Sequence, residues 1–119
     1  MSSAVLQNLG MLHVVSGRIT YTTGVPALVC NDESATLADT NTGIATLTFG
    51  DPFLTAPAVV ATYRKGTEAA TANNLVVIDS VTTTTVVFRF KNDAAGTNST
   101  ADPADTDGCQ FVAIGMRNN

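Results

Sequence analysis

Val81-Thr82-Thr83-Thr84-Thr85-Val86-Val87-Phe88-Arg89-Phe90 is the stretch on which the fold turns. Val86, Phe88 and Phe90 alternate with Val87, Arg89 and Lys91. Successive strand side chains point to opposite faces, so the first set reads as core and the second as solvent-facing. The same period runs through Gly43-Ile44-Ala45-Thr46-Leu47-Thr48-Phe49, with Ala45, Leu47 and Phe49 on one face and Ile44, Thr46 and Thr48 on the other. Ala58-Val59-Val60-Ala61-Thr62-Tyr63 and Phe111-Val112-Ala113-Ile114-Gly115 extend it. In the last run Phe111 and Ala113 alternate with Val112, Ile114 and Met116, so both faces are apolar. Such a strand either lies between packed layers or meets another subunit, and Leu75-Val76-Val77-Ile78 has the same character.

Outward from these runs, strand-like stretches fall near 14–22, 26–31, 34–38, 43–49, 58–65, 75–80, 82–91 and 109–117. Turn signals separate them at Gly24-Val25-Pro26, Asn31-Asp32-Glu33, Thr40-Asn41-Thr42-Gly43 and Gly50-Asp51-Pro52. About eight short strands with regular turns predict an all-β antiparallel sandwich, jelly-roll-like, over residues 15–119. Residues 1–14 stand apart. Val5, Leu6, Leu9 and Leu12 recur at helical spacing, while Gly10 costs a helix about 1 kcal/mol, so a short helix and an extended apolar arm both fit. Two irregular insertions, 66–74 and 92–108, are rich in Ala, Asn, Asp and Thr, and long loops at the end of a sandwich often carry recognition.

Composition bounds the class. A chain of 119 residues, 45% hydrophobic and 13% charged, holds one core and is not intrinsically disordered. Aromatics make up 6% and Trp is absent, which predicts a core built mainly from Val, Leu, Ile and Ala. A net charge of −4 and six scattered basic residues argue against a nucleic-acid partner, which requires clustered cations. No segment approaches the roughly 18 consecutive apolar residues of a membrane helix, and no basic stretch precedes the first apolar run as in a signal peptide.

Cys30 and Cys109 each lie in a strand-like run and read as two buried thiols rather than a bridge. Catalytic patterns are thin: His13 is the only histidine, no Gly-x-Ser-x-Gly elbow occurs, and most acids fall in turns, so no enzyme and no cofactor is expected. Asp102, Asp105 and Asp107 before Gly108 supply hard oxygen ligands suited to Ca²⁺, although their spacing is not that of an EF-hand and a solvated acidic loop is the simpler account. Asn98-Ser99-Thr100 matches a glycosylation acceptor and reads as loop chemistry. Tyr63 beside Arg64 is the best candidate for a glycan platform, while alternation also allows Tyr63 to be core with Val59 and Ala61.

The order strand, Gly50-Asp51-Pro52-Phe53, Pro57, strand, then Asp79-Ser80-Val81-Thr82-Thr83-Thr84 leading to Phe88-Arg89-Phe90, and finally Phe111-Val112-Ala113-Ile114-Gly115, resembles the small β-sandwiches of phage virions. Over roughly residues 43–117 it is also similar to H-type lectin domains, which often place a Trp before the closing Ala-x-Gly where this chain has Phe111-Val112. The first resemblance implies a non-enzymatic capsid decoration (cement) protein, made in the host cytoplasm and carried on the virion. It would be a homotrimer that binds the major capsid protein across capsomer junctions. Val5, Leu6, Leu9, Leu12, Val112, Ile114 and Met116 are the expected capsid or subunit contacts. The second implies a glycan-binding module, such as a tail-fibre tip.

Overall fold

The computed structural model describes residues 11–66, 74–92 and 99–118. Among these residues nine strands occur in the order β1 (Leu12–Thr22), β2 (Val25–Cys30), β3 (Thr36–Asn41), β4 (Ile44–Thr48), β5 (Ala58–Arg64), β6 (Asn74–Val81), β7 (Thr85–Asn92), β8 (Ser99–Thr100) and β9 (Gly108–Met116). They form two antiparallel sheets. Sheet A has the order β2-β1-β9-β5, and sheet B has β3-β4-β7-β6 with the two-residue β8 pairing β7. The sandwich read from the sequence is the fold. β2 lies beside β3 at one edge and β5 beside β6 at the other, so two of the four crossings between the sheets run along edges.

The turns follow from local chemistry. Thr23 and Gly24 both have positive φ (51° and 77°) and join β1 to β2, the conformation that matches strand twist in a two-residue hairpin loop. Thr82 closes the β6–β7 hairpin: its Oγ1 accepts from the amides of Thr84 and Thr85 at 3.2 and 2.9 Å. Pro26 lies in β2, a sheet edge, where its missing N–H breaks no central ladder.

The core alternates as expected. Ala45, Leu47, Phe49, Val86, Phe88 and Phe90 are buried from sheet B, facing Val15, Ile19, Tyr21, Cys109, Phe111 and Ala113 from sheet A. The expected Val, Leu, Ile and Ala are joined among the fully buried residues by an equal number of aromatics. Each of the five Phe in the chain is buried, and they meet in pairs along the sandwich axis. Phe49 packs edge-on to Phe53 (4.9 Å between centroids), Phe88 meets Phe111 across the layers (5.4 Å), and Phe90 meets Tyr21 edge-on (5.2 Å). A 6% aromatic share is prominent in the interior because almost none of it lies outside.

The first strand begins earlier than the sequence suggested. Residues 12–14 belong to β1 and pair with β9 through Leu12↔Met116, His13↔Gly115 and Val14↔Ile114, so the segment before the sandwich ends by Met11. β2 accompanies β1 only as far as Gly17↔Cys30. Beyond that point the Asn31 side chain takes over as strand partner, accepting from Ser16 N at 2.9 Å and donating to the Val14 carbonyl at 2.9 Å. Both cysteines are free thiols; Cys109 is buried and Cys30 half-buried, donating to the Asp32 carbonyl. Burial pushes the Cys109 thiol up to about 12.

Candidate interaction face

The strand register brings several sequence-predicted contact residues onto one surface, the outer face of sheet A. Leu12 and Met116 form its first rank, and Val14, Ile114 and Ala58 its second. Ser16, Val112 and Val60 make the third, Arg18, Gln110 and Thr62 the fourth. Arg64 follows on β5, two residues beyond Thr62. Ranks along a strand alternate by two residues and neighbours across strands lie about 4.8 Å apart, so these side chains form one continuous layer. The face is therefore graded, apolar at the Leu12 end and basic at the Arg18–Arg64 end.

Exposure separates this layer from the core beneath it. Val60 is 68% exposed, Ile114 and Leu12 46% each, while Ala113 between Val112 and Ile114 is fully buried. Along the β2 edge, Val29 is 61% exposed and pairs with Arg18. A shallow open depression of about 510 Å³, bordered by Ser16, Arg18, Asn31, Gln110 and Val112, lies where apolar and basic ranks meet. No Asp or Glu occurs in β1, β2, β5 or β9, while Asp32, Glu33 and Asp51 border the hollow beside Val14 at the apolar end.

Leu12, Val112, Ile114 and Met116 are thus assembled from the two outermost thirds of the sequence. Val5, Leu6 and Leu9 lie outside the described residues. Sequence reading missed Val14, Val60, Arg18 and Arg64 as parts of the same surface. Parity within each strand was available for all four; the pairing of β1 and β5 on either side of β9 was not.

The three candidate calcium carboxylates do not converge. Asp102 accepts from Gly43 N in the β3–β4 turn at 2.6 Å, and Asp105 accepts from Thr23 N in the β1–β2 turn at 2.6 Å. Asp107, fully buried, accepts from Gly66 N at 2.8 Å and from the Tyr63 hydroxyl at 3.0 Å. Each carboxylate is occupied by a different element, and among the described residues no group of three acids, His or Cys is arranged to hold a metal. Residues 101–107 instead strap one end of the sandwich, tying two hairpin turns and the segment after β5. Gly43 serves this strap twice: its φ of 72° suits glycine, and a Cβ there would lie 2.8 Å from Ala101 N. Within the second insertion, residues 99–108 are therefore held by β8 and by these aspartates.

Tyr63 and Arg64 do not make a platform. Tyr63 turns inward with Val59 and Ala61, its ring 6.3 Å from Phe90, while Arg64 projects from the opposite face. Burial, and next the bond to Asp107, hold the Tyr63 hydroxyl protonated well above its ordinary range. Tyr21 is raised chiefly by burial too, and its buried hydroxyl has no hydrogen-bond partner among the described residues. His13 is packed against Phe53 (4.5 Å) and bonds the Asp51 carbonyl through Nε2 at 3.0 Å, while Arg117 holds the Asp51 carboxylate at 3.0 Å. His13 therefore fastens the Gly-Asp-Pro-Phe corner against β1.

No protein-family model, curated protein or solved structure matches the chain. The molecule is defined by what its own residues build: an antiparallel β-sandwich with one graded outer face, apolar at one end and basic at the other. No helix among the described residues is long and apolar enough to cross a membrane.

Proposed function

We propose that this chain is a non-enzymatic structural protein of a phage virion, a capsid decoration (cement) protein that forms a homotrimer and binds the major capsid protein across capsomer junctions. The observation that carries this reading is the outer face of sheet A. Its exposed Leu12, Val14, Val60, Val112 and Ile114 form a contiguous apolar patch, and the largest such patch of a soluble protein is often functional. The resemblance to small virion sandwiches supplies the particle. Separation of Tyr63 from Arg64 favours assembly over sugar binding.

Decoration works by repetition. Each copy adds a modest contact, and a trimer engages several capsid subunits at once, so attachment strengthens through effective concentration. The apolar residues Val5, Leu6 and Leu9 precede β1 in sequence and provide the segment that reaches the shell. Co-sedimentation with shells of the major capsid protein encoded in the same genome tests the reading. Retention of the intact chain is expected, and its passage into the supernatant would overturn the proposal. Removing residues 1–10, which spares β1, should weaken retention at least about tenfold while the circular dichroism of the sandwich stays unchanged.

A further inference from the structure

We infer that β5 is a docking edge for a second copy of this chain: the β5 strands of two copies pair antiparallel about a two-fold axis at Ala61 and join two A sheets into one. The contact lies on the rim of the sandwich rather than on the outer face of sheet A, and it goes beyond the reading above without depending on it. A strand at the end of a sheet offers unpaired N–H and C=O groups that template pairing with another chain, and proteins ordinarily blunt such strands. Three of the four sheet ends here are blunted. β2 carries Pro26 opposite Tyr21, whose backbone bonds away from β2, so the missing N–H falls on the open side. β3 carries Asp39 and a register shift between Asp39 and Asn41. β6 carries Asp79 and a shift between Ile78 and Ser80. β5 keeps unbroken register against β9, without proline, bulge or acid, and its one charge stands at the last position.

Alternation identifies the groups on offer. Tyr21 N bonds the Asp107 carbonyl and Arg117 N bonds the Met11 carbonyl, so odd-numbered residues of β1 and β9 bond each other. The even residues of β9 therefore serve Ala58, Val60, Thr62 and Arg64. The N–H and C=O groups of Val59, Ala61 and Tyr63 are left directed at the open edge, and no described residue bonds them. β6 lies beside β5 in the other sheet but pairs with β7.

What fits this edge is the same edge. Ala61 is the midpoint of β5, so a two-fold there aligns all seven residues. Val59, Ala61 and Tyr63 then exchange backbone bonds with the second copy's Tyr63, Ala61 and Val59, and Val59 with Tyr63 is a favourable β-branched–aromatic cross-strand pair. Arg64 falls opposite Ala58 at each end, which keeps the two guanidinium groups about 20 Å apart. Val59, Ala61 and Tyr63 face the core yet are only half-buried, and a neighbouring strand completes their cover. The strip is small beside the roughly 800 Å² that a standard interface takes from each partner. Isolated copies therefore associate weakly, at about 0.1 mM, while copies held side by side on a larger particle pair through effective concentration.

Residue-resolved amide exchange of the intact chain tests this. Between about 10 µM and about 1 mM protein, the amides of Val59, Ala61 and Tyr63 should slow at least about threefold, while those of Val60 and Thr62, already bonded to β9, stay constant. Ala61→Pro removes an N–H that serves no bond in the fold, so it should abolish the concentration dependence at Val59 and Tyr63 with circular dichroism unchanged. Should that variant fail to fold, Val60→Lys takes its place: its ammonium is hydrated in a single copy and meets its own counterpart across the paired edge. In a mixture of Val60→Cys and Thr62→Cys chains, oxidation should give a cross-linked pair that neither variant gives alone, because residues 60 and 62 of different copies stand opposite. Exchange that is the same at both concentrations, slowing that survives Ala61→Pro, or a mixture that cross-links no better than either variant alone would overturn the inference. The decoration reading rests on the outer face and its own sedimentation test, so it stands or falls separately.

Discussion

Asp107→Ala should destabilise the sandwich by about 1–3 kcal/mol, read as a lowered urea midpoint with an unchanged slope. Asp107 is fully buried and serves two donors, Gly66 N at 2.8 Å and the Tyr63 hydroxyl at 3.0 Å. Truncation leaves the half-buried Tyr63 hydroxyl without its acceptor, a loss of about 1–3 kcal/mol, while the amide of exposed Gly66 can turn to water. Asp107→Asn should be milder, because Oδ1 still accepts from Gly66 N while the amide NH₂ donates to the Tyr63 oxygen. A second readout separates this bond from general loosening. Tyr63 is held protonated first by burial and then by Asp107, both raising its pKa, so the alanine variant should show tyrosinate absorbance at a lower pH than wild type. Sign follows from linkage: a hydroxyl raised in the folded state contributes stability below the unfolded pKa of about 10, and that contribution is lost as pH rises past it. Unchanged midpoint and titration in Asp107→Ala would remove the strap from the account.

Ile114→Asp should convert the assembly to monomers while leaving each monomer folded. Ile114 sits between Val14 and Ala58 in the second rank of the outer face and is 46% exposed in the single chain. A carboxylate there remains hydrated in a free monomer, so its cost is confined to weaker strand propensity, within about 1 kcal/mol. In the assembled protein the same carboxylate would be desolvated without a partner, which costs several kcal/mol and corresponds to at least about a hundredfold in half-dissociation concentration. Val77→Asp is the matched control. Val77 is likewise an exposed apolar strand residue, but it projects from sheet B opposite Arg89, and its replacement should not change the mass. Equal effects of the two substitutions would mean that either carboxylate disturbs the fold or that both faces associate.

The contrast between Ile114 and Val77 shows what strand parity alone delivers. Alternation in Val86–Phe90 and Ala45–Phe49 is a local property, so the buried sets were legible before any pairing was known. Which outward set faces solvent and which meets a neighbour depends on strand order, and β1, β5 and β9 are widely separated in sequence. The apolar layer of sheet A therefore appeared only as fragments in β9 and at Leu12. The aspartates of 102–107 were harder still. Acids in a turn ordinarily bond their own backbone, whereas Asp102, Asp105 and Asp107 reach amides 59, 82 and 41 residues away. No spacing rule encodes such partners. Tyr63 was readable either as platform or as core, and the bond to buried Asp107 decides for the core. The two-residue β8 escaped because a pair of residues carries no period.

Residue-level covalent footprinting of the assembled protein, compared with the Ile114→Asp variant, tests most directly whether sheet A is the covered face. Leu12, Val14, Val60 and Met116 should be protected in the assembly and labelled in the variant, while Leu75 and Val77 on sheet B should be labelled equally in both. Equal labelling of Val60 and Met116 in the two samples, or protection confined to Leu75 and Val77, would contradict the account.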